Sequence, residues 1–239
     1  MSESEAERRV LEFLDAYREL EEAISAKARL GPGESPVRWL CEQPKVQGRE
    51  LARQLDLCRE VRNVLTHRAR VAGSFALWPS EEMLALLRRV SEEILHPQLA
   101  LSVAVPAKKL LHAELDDAVK PVVEQMSARD FSVVPIVQER RVAGLFSEAW
   151  ALDLLLLLGG SLDEDLRFGD LLGLLEKDFK AGELFEFCAR NETLDAAGDR
   201  FERALKAGKQ LKMLFVTEHG KQSEAVLAAL TAWDIAAQV

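Results

Sequence analysis

The chain has 239 residues, of which 48% are hydrophobic and 30% charged, and its formal net charge at pH 7 is −9. This length fits one large or two ordinary globular domains, and the composition lies far from that of disordered proteins. Residues 1–97 hold 15 basic and 17 acidic side chains and the remainder holds 16 and 23, so tight non-specific nucleic-acid binding is not expected, although a local basic patch is allowed.

The first part of the chain has the hydrophobic spacing of amphipathic helices, with apolar residues recurring at intervals of three and four. The predicted helices cover 4–29, a short segment from Ser35-Pro36, 48–71, and a segment from Pro79-Ser80 to Leu95. No convincing strand occurs before residue 99. We therefore expect an all-α domain over residues 1–97.

The hydrophobic period changes after this domain. Ser132–Gln138 and Arg141–Ser147 are short β-type runs separated by one tight turn, which predicts a β-hairpin. Helical patterns at 115–128 and 148–158 flank them. The predicted order is helix, strand, strand, helix.

The same order recurs further along, which indicates an internal repeat. Leu115-Asp116 corresponds to Leu194-Asp195, and Ser132–Gln138 to Leu211–Thr217, at one offset of 79 residues. Such a constant offset through a helix and a strand rarely arises by chance. We expect an α/β domain over 98–239 with repeats at about 100–160 and 168–239.

Each repeat ends with a strand that enters a helix through a small hydroxyl residue, Ser147 in the first and Thr231 in the second. Such a hydroxyl caps the helix, and the same place can receive a phosphate. Asp234, one turn later, can accept hydrogen bonds from ribose hydroxyls. The structural alternative is that Ser147 and Thr231 are only helix caps and that Asp234 is solvated.

Pro135-Ile136-Val137 and Thr231-Ala-Trp-Asp234 resemble motifs of the cystathionine-β-synthase (CBS) domain family, over roughly residues 100–239. The resemblance implies a pseudo-twofold pair of repeats with clefts for a regulatory adenine nucleotide (AMP, ADP or ATP), held by Ser147, Thr231 and Asp234. Trp150 occupies the aspartate position of the first repeat, and Ala228 a glycine position of the second. We therefore expect one occupied site, at Thr231 and Asp234.

The segment REVRNVLTHRAR, residues 59–70, gathers basic residues on one predicted helix. One helical face carries Arg59, Arg62, Asn63, Thr66 and Arg70, with His67 beside it. Arginine binds phosphate bidentately, and histidine can move a proton near neutral pH. Such a surface suits a phosphodiester. The structural alternative is a solvated face beside a helical dimer interface.

Arg62-Asn63-Val-Leu-Thr-His67 resembles the signature of the HEPN family (higher eukaryotes and prokaryotes nucleotide-binding), within residues 1–97. The resemblance implies a metal-independent endoribonuclease whose cleft is shared between the two protomers of a homodimer. It implies that His67 is the general base or acid, that Arg62 stabilises the transition state, and that Asn63 positions His67 or a phosphate oxygen. Arg59, Thr66 and Arg70 would contact the RNA.

The three cysteines, Cys41, Cys58 and Cys188, have none of the spacings of a zinc site, and they favour a reducing cytoplasm. The leucine run from Leu154 is too short to span a bilayer and predicts a buried helix face. Trp39, Trp78 and Trp233 are interpreted as packing residues. The resulting hypothesis is an endoribonuclease regulated by a nucleotide sensor; the alternative is a non-catalytic regulatory protein that dimerises through its helices and binds an adenine nucleotide.

Overall fold

The structure is a computed structural model that describes residues 3–31, 33–67, 75, 77–175 and 183–238. The chain divides into two compact units, Met1–Pro97 and Gln98–Val239. The first is helical, and the second is α/β with two sheets. Within the described ranges, no helix has both the length and the apolar character needed to cross a membrane.

In the described part of the N-terminal unit, four helices pack around one core. They are α1 (Glu3–Ala28), α2 (Pro36–Glu42), α3 (Glu50–His67) and α4 (Glu81–Leu95). The fully buried side chains include Val10, Phe13, Leu20, Leu55 and Leu87, which are the apolar positions of the three- and four-residue spacing. The predicted end of α3 at residue 71 lies outside the described residues.

The C-terminal unit has alternating short helices and strands. In chain order these are α5 (Ala100–Val103), β1 (Val105–Pro106), β2 (Ala113–Glu114), α6 (Val119–Arg129), β3 (Val133–Gln138), β4 (Arg141–Ser147), α7 (Glu148–Leu157), α8 (Phe168–Leu175), β5 (Glu183–Ala189), α9 (Leu194–Lys206), β6 (Gln210–Thr217), β7 (Ala228–Leu230) and α10 (Ala232–Ala236).

These elements form two sheets of related topology. The first has the order β2-β3-β4 and the second β1-β7-β6-β5. In each sheet a parallel pair, β2 with β3 or β5 with β6, is followed by an antiparallel pair, β3 with β4 or β6 with β7. Helix α6 or α9 connects the parallel strands, as parallel pairing requires a crossover. The two halves of the unit therefore share one order of elements.

The two sheets pack against each other through an apolar cluster. Val142 and Leu145 of β4 contact Met213 and Phe215 of β6, with Ala229 of β7, and all five are buried. In β6, Met213 and Phe215 alternate with Leu214 and Val216, which belong to the core of their own repeat, as the two-residue period of a strand dictates. In β4 the pairing register shifts between Val142 and Gly144, so Val142 and Leu145 share one face although they are three residues apart. Two cavities of the unit lie at the edges of this cluster.

The tip of the β3–β4 hairpin has an unusual backbone. Gln138 pairs with Arg141, so Glu139 and Arg140 alone form the turn. Their φ angles are 50° and 64°, the left-handed values of a type I′ turn, which asparagine and glycine usually occupy. This two-residue connection matches the predicted tight turn. Glutamate and arginine, however, are not favoured at these left-handed positions.

Two side-chain environments differ from those expected. Leu154 is buried, but Leu156 and Leu157 are 71% and 73% exposed, so the prediction that the leucine run forms a buried face is wrong for its end. Consecutive helical residues point in different directions, and only one stripe can face a core. Two of the tryptophans expected to pack, Trp78 and Trp233, are 51% and 83% exposed.

Candidate functional site

A cavity of about 270 Å³ opens in the C-terminal unit where α10 begins. Thr231, Trp233 and Asp234 form one side of it, and Lys109, from the segment after β1, lines it as well. The remaining wall comes from the stretch between α6 and β3, which includes Ser132. We call it the Thr231–Asp234 cavity. Residues from both repeats therefore line it.

The polar side of this cavity is a tightly hydrogen-bonded pair. The Asp234 carboxylate accepts two hydrogen bonds at Oδ2, from the Thr231 backbone N–H at 2.7 Å and from its hydroxyl at 2.8 Å. Its other oxygen, Oδ1, has no hydrogen bond from the described residues. The carboxylate is held in place by the turn that starts α10 and retains acceptor capacity for a ligand.

Two exposed aromatic rings border the same cavity. Trp233 is 83% exposed and Phe131 is 41% exposed. Large apolar side chains are usually buried, so two exposed rings beside one cavity are informative about binding. Flat aromatic faces can stack on another ring.

Phe131 is placed by the end of α6. The helix ends at Asp130 in the left-handed conformation (φ 59°, ψ 39°), a state that aspartate tolerates better than most residues. The Phe131 N–H then donates to the Met126 carbonyl at 2.9 Å. This turn carries Asp130, Phe131 and Ser132 to the wall of the cavity.

The corresponding residues of the first repeat are buried. Ser147 is 2% exposed, and its hydroxyl accepts from the Trp150 backbone N–H at 3.3 Å at the start of α7. Trp150 is buried in the core of that repeat. Neither residue is among the described residues that line the Thr231–Asp234 cavity. Ser147 is thus placed apart from Thr231 and Asp234, as a buried helix cap.

On α3, the predicted cationic face is partly neutralised by carboxylates. The Arg59 guanidinium donates through Nε and Nη2 to Oδ1 of Asp56 at 2.9 and 2.7 Å. This pair lies one turn apart on the helix surface. Arg59 is therefore engaged, and an RNA phosphate would have to compete with Asp56 for it.

Arg62 lies at the border between the surface and the core of the N-terminal unit. Its guanidinium carbon is 5.7 Å from the centroid of the Tyr17 ring, within the range of a cation–π interaction. Its Nη2 is 3.8 Å from a Glu21 carboxylate oxygen, and its Nη1 donates to Asn63 Oδ1 at 3.4 Å. Burial raises the pKa of Tyr17 and of Glu21, while Arg62 opposes both shifts.

The other predicted residues of α3 are close to its C-terminal end. The Thr66 hydroxyl donates to the Arg62 carbonyl at 2.9 Å, so this hydroxyl is used within the helix. His67 is exposed at the last residue of α3. Arg70 lies outside the described residues. The structure therefore groups Arg62, Asn63 and Thr66 on one surface.

The sequence predictions missed several residues of the Thr231–Asp234 cavity. Lys109, Phe131 and Ser132 line it although none was predicted, and Trp233 was interpreted as a packing residue. One signal was present in the sequence, because Phe131 stands between Asp130 and Ser132 without apolar neighbours on either side. An isolated aromatic in a polar turn has no obvious place in a core.

Comparisons with known proteins give distant likenesses of fold. No family model matches the chain, and no curated protein matches it. The solved structure of CbpB in complex with c-di-AMP is 13% identical with a TM-score of 0.43, over 61% of this chain and 87% of that one. CBSX2 in complex with AMP is 14% identical with a TM-score of 0.39, over 59% and 95%.

A third solved structure, a hemolysin-like protein containing a CBS domain from Oenococcus oeni PSU, is 10% identical with a TM-score of 0.40, over 59% of this chain and 89% of that one. All these TM-scores are low. These likenesses assign neither a family nor a function to this chain.

Proposed function

We propose that this protein is a regulatory nucleotide-binding protein, in which the Thr231–Asp234 cavity of the C-terminal unit takes one adenine nucleotide. The observation that carries the proposal is the convergence of three kinds of group on one cavity: a fixed carboxylate–hydroxyl pair, a lysine, and two exposed aromatic rings. Cavities with a few convergent polar groups are the usual binding sites of small ligands.

Each group has a role that its chemistry supports. Asp234 Oδ1 accepts from ribose hydroxyls, because Oδ2 already holds Thr231. The Lys109 ammonium offsets the charge of a phosphate. The rings of Phe131 and Trp233 stack on the base, because every nucleobase has a flat aromatic face. The choice of adenine follows the resemblance of the Thr231–Asp234 motif to the CBS family.

The size of the cavity limits the ligand. About 270 Å³ lies just below the roughly 300–1,000 Å³ that small-molecule sites occupy. A mononucleotide therefore suits it better than a dinucleotide. Because Ser147 and Trp150 are buried in the first repeat, we propose one nucleotide per chain.

The regulatory part of the proposal follows from energetics. A bound nucleotide changes the activity or the assembly of the chain only if it binds two states of the protein with different affinity. This part is tested separately from binding by measuring the activity or the assembly of the chain with and without saturating nucleotide.

The binding test uses two threonines that both begin helices. Thr231 lies on the cavity, while Thr193 caps α9 by accepting from the Ala196 N–H at 3.2 Å and does not line it. Loss of a helix-capping group costs about 1 kcal/mol in either case. We expect Thr231→Ala to weaken binding of AMP, ADP or ATP about tenfold or more by calorimetry, while Thr193→Ala binds as the unmodified chain does.

Two outcomes would overturn the proposal. The first is no heat and no shift in melting temperature with any of the three nucleotides. The second is equal weakening by Thr231→Ala and Thr193→Ala, which would mean that only fold stability was affected.

A second candidate function is metal-independent RNA cleavage at α3. It is favoured by the grouping of Arg62 and Asn63 five and four residues before an exposed histidine, His67. In this proposal the RNA 2′-hydroxyl attacks the adjacent phosphorus, His67 moves the proton, and Arg62 offsets the charge of the transition state. Products are a 2′,3′-cyclic phosphate and a 5′-hydroxyl.

This candidate has its own test, with a control on the same helix. His67→Ala and Arg62→Ala should abolish RNA cleavage in EDTA, while Arg53→Ala should not, because Arg53 is an exposed residue paired with Glu50. The cleavage site is proposed to be shared between the two protomers of a homodimer, so sedimentation should give a dimer. RNA cleavage that persists in both Arg62→Ala and His67→Ala would refute this candidate function.

A further inference from the structure

A second cavity, of about 240 Å³, lies in the C-terminal unit at the other end of β3. Its floor is apolar and is formed by Pro135 and Val137 of β3, Val142 of β4, and Phe215 of β6. It is lined by residues different from those of the Thr231–Asp234 cavity, except that Leu110 contributes to both. We call it the Arg140 cavity.

The polar groups of the Arg140 cavity are all basic side chains. Lys108, His112 and Arg140 line it, and no carboxylate is among the described residues around it. Within the part of the chain that the structure describes, the side chains of Lys108 and Arg140 have no carboxylate or hydrogen-bond partner. Two charged side chains without an acidic partner beside one cavity are unexpected in a chain whose net charge is −9.

Arg140 is held at this cavity by a backbone that suits other residues better. Glu139 and Arg140 have φ angles of 50° and 64°, and an L-residue other than glycine in this region is strained. The Arg140 carbonyl accepts from the Val226 N–H at 3.1 Å, which ties the turn to the second sheet. Such strain is often retained where a side chain has a function.

The segment after β1 separates the two cavities. Lys108 lines the Arg140 cavity, while the next residue, Lys109, lines the Thr231–Asp234 cavity. Residues 107–109 form a single turn of 3₁₀ helix, in which neighbouring side chains point in different directions. The two adjacent lysines therefore line two different cavities.

We propose that the Arg140 cavity is a second ligand site, which takes a small anion with an apolar body. Its anionic group, a carboxylate or a phosphate monoester, pairs with Arg140 and Lys108, and its alkyl or aryl part covers the floor formed by Val137, Val142 and Phe215. Arginine suits both anions because its guanidinium can donate two parallel hydrogen bonds. The volume restricts the body to a short chain or one ring.

The test uses probes that share one alkyl chain and differ in charge. Octanoate and octyl phosphate should bind measurably by calorimetry to the full chain, and their ranking distinguishes a carboxylate site from a phosphate site. Octanol lacks the anion and octylammonium reverses its charge, so both should bind at least tenfold more weakly. Octanol or octylammonium binding as tightly as octanoate would refute the proposal, and so would a failure of both anions to bind.

Charge variants then locate the bound probe. Arg140→Gln and Lys108→Gln should each weaken octanoate binding about tenfold or more. Glu139→Gln changes the neighbouring turn residue, which does not line the cavity, and should bind at least as well as the unmodified chain. Lys109→Gln should leave octanoate affinity unchanged. Unchanged affinity in both Arg140→Gln and Lys108→Gln would place the probe elsewhere and overturn the assignment.

This inference does not depend on the nucleotide proposal. Thr231→Ala should weaken nucleotide binding and leave octanoate binding as it is, because Thr231 does not line the Arg140 cavity. Octanoate binding that is lost in Thr231→Ala but kept in Arg140→Gln would mean that the probe occupies the Thr231–Asp234 cavity instead.

Discussion

Replacing either central residue of the β3–β4 turn by glycine should stabilise the C-terminal unit. Glu139 and Arg140 adopt φ angles of 50° and 64°, and such left-handed conformations cost about 1–2 kcal/mol for each non-glycine residue. Glycine removes that strain but loses more backbone entropy on folding, about 0.5–1 kcal/mol. The net gain from Glu139→Gly or Arg140→Gly is therefore between about 0 and 1.5 kcal/mol each.

Neither substitution removes a contact that would offset this gain. Both side chains are exposed, and the hydrogen bond of the turn to Val226 uses the backbone carbonyl of residue 140. Because the chain has two units, a single unfolding midpoint would mix their stabilities. Hydrogen exchange of the β3 and β4 amides measures the opening free energy of this hairpin locally.

The two glycine variants should differ in only one property. Both should slow exchange in β3 and β4, but only Arg140→Gly should lose octanoate binding, since Glu139 does not line the Arg140 cavity. Faster exchange in both variants would refute the strain reasoning. Retained octanoate binding in Arg140→Gly would instead refute the role of the side chain.

The remaining predictions concern the end of the second sheet. Gly220→Ala should destabilise the C-terminal unit by about 2–4 kcal/mol, because φ is 78° and the new Cβ would lie 3.0 Å from the Ala189 nitrogen. Gly208→Ala, with φ 69° and open space around it, should cost only about 1–2 kcal/mol. Hydrogen exchange of the β5 and β6 amides measures both losses within this unit, and equal losses would contradict the steric reason. The backbone N–H of His219 lowers the pKa of Glu224 from 4.5 to about 2, so its contribution to stability is present above pH 4.5 and is lost as the pH falls toward 2. Denaturation of Glu224→Gln should therefore show a deficit at pH 6 that disappears near pH 2, and a deficit independent of pH would show that the carboxylate charge is not its source.

Local patterns predicted the hairpin closely. The runs Ser132–Gln138 and Arg141–Ser147 became β3 (Val133–Gln138) and β4 (Arg141–Ser147), and the run from Leu211 became β6 (Gln210–Thr217). Strand pairs joined by a short turn are encoded by neighbouring residues, so their periodicity is readable. Strand β5 was missed because its partner β6 is parallel and distant in sequence.

Packing partners were much less predictable than elements. Trp233 and Trp150 belong to equivalent helices of the two halves, yet Trp233 is exposed at a cavity and Trp150 is buried in a core. The leucine run after Ser147 is helical, as expected, but only one face of this helix packs against a core. Burial depends on what the rest of the chain places opposite a residue, and a single sequence does not display that.

The sequence by itself determined that helices precede an α/β region and that one order of elements recurs within that region, because periodicity and turn chemistry are local. It also predicted that Thr231 begins a helix with Asp234 one turn later, since a capping pair needs only residues one turn apart. The tertiary structure alone decided what surrounds them. Lys109 and Phe131, which line the Thr231–Asp234 cavity, belong to segments far from Thr231 in the chain, and only the packing of the two sheets brings these segments together.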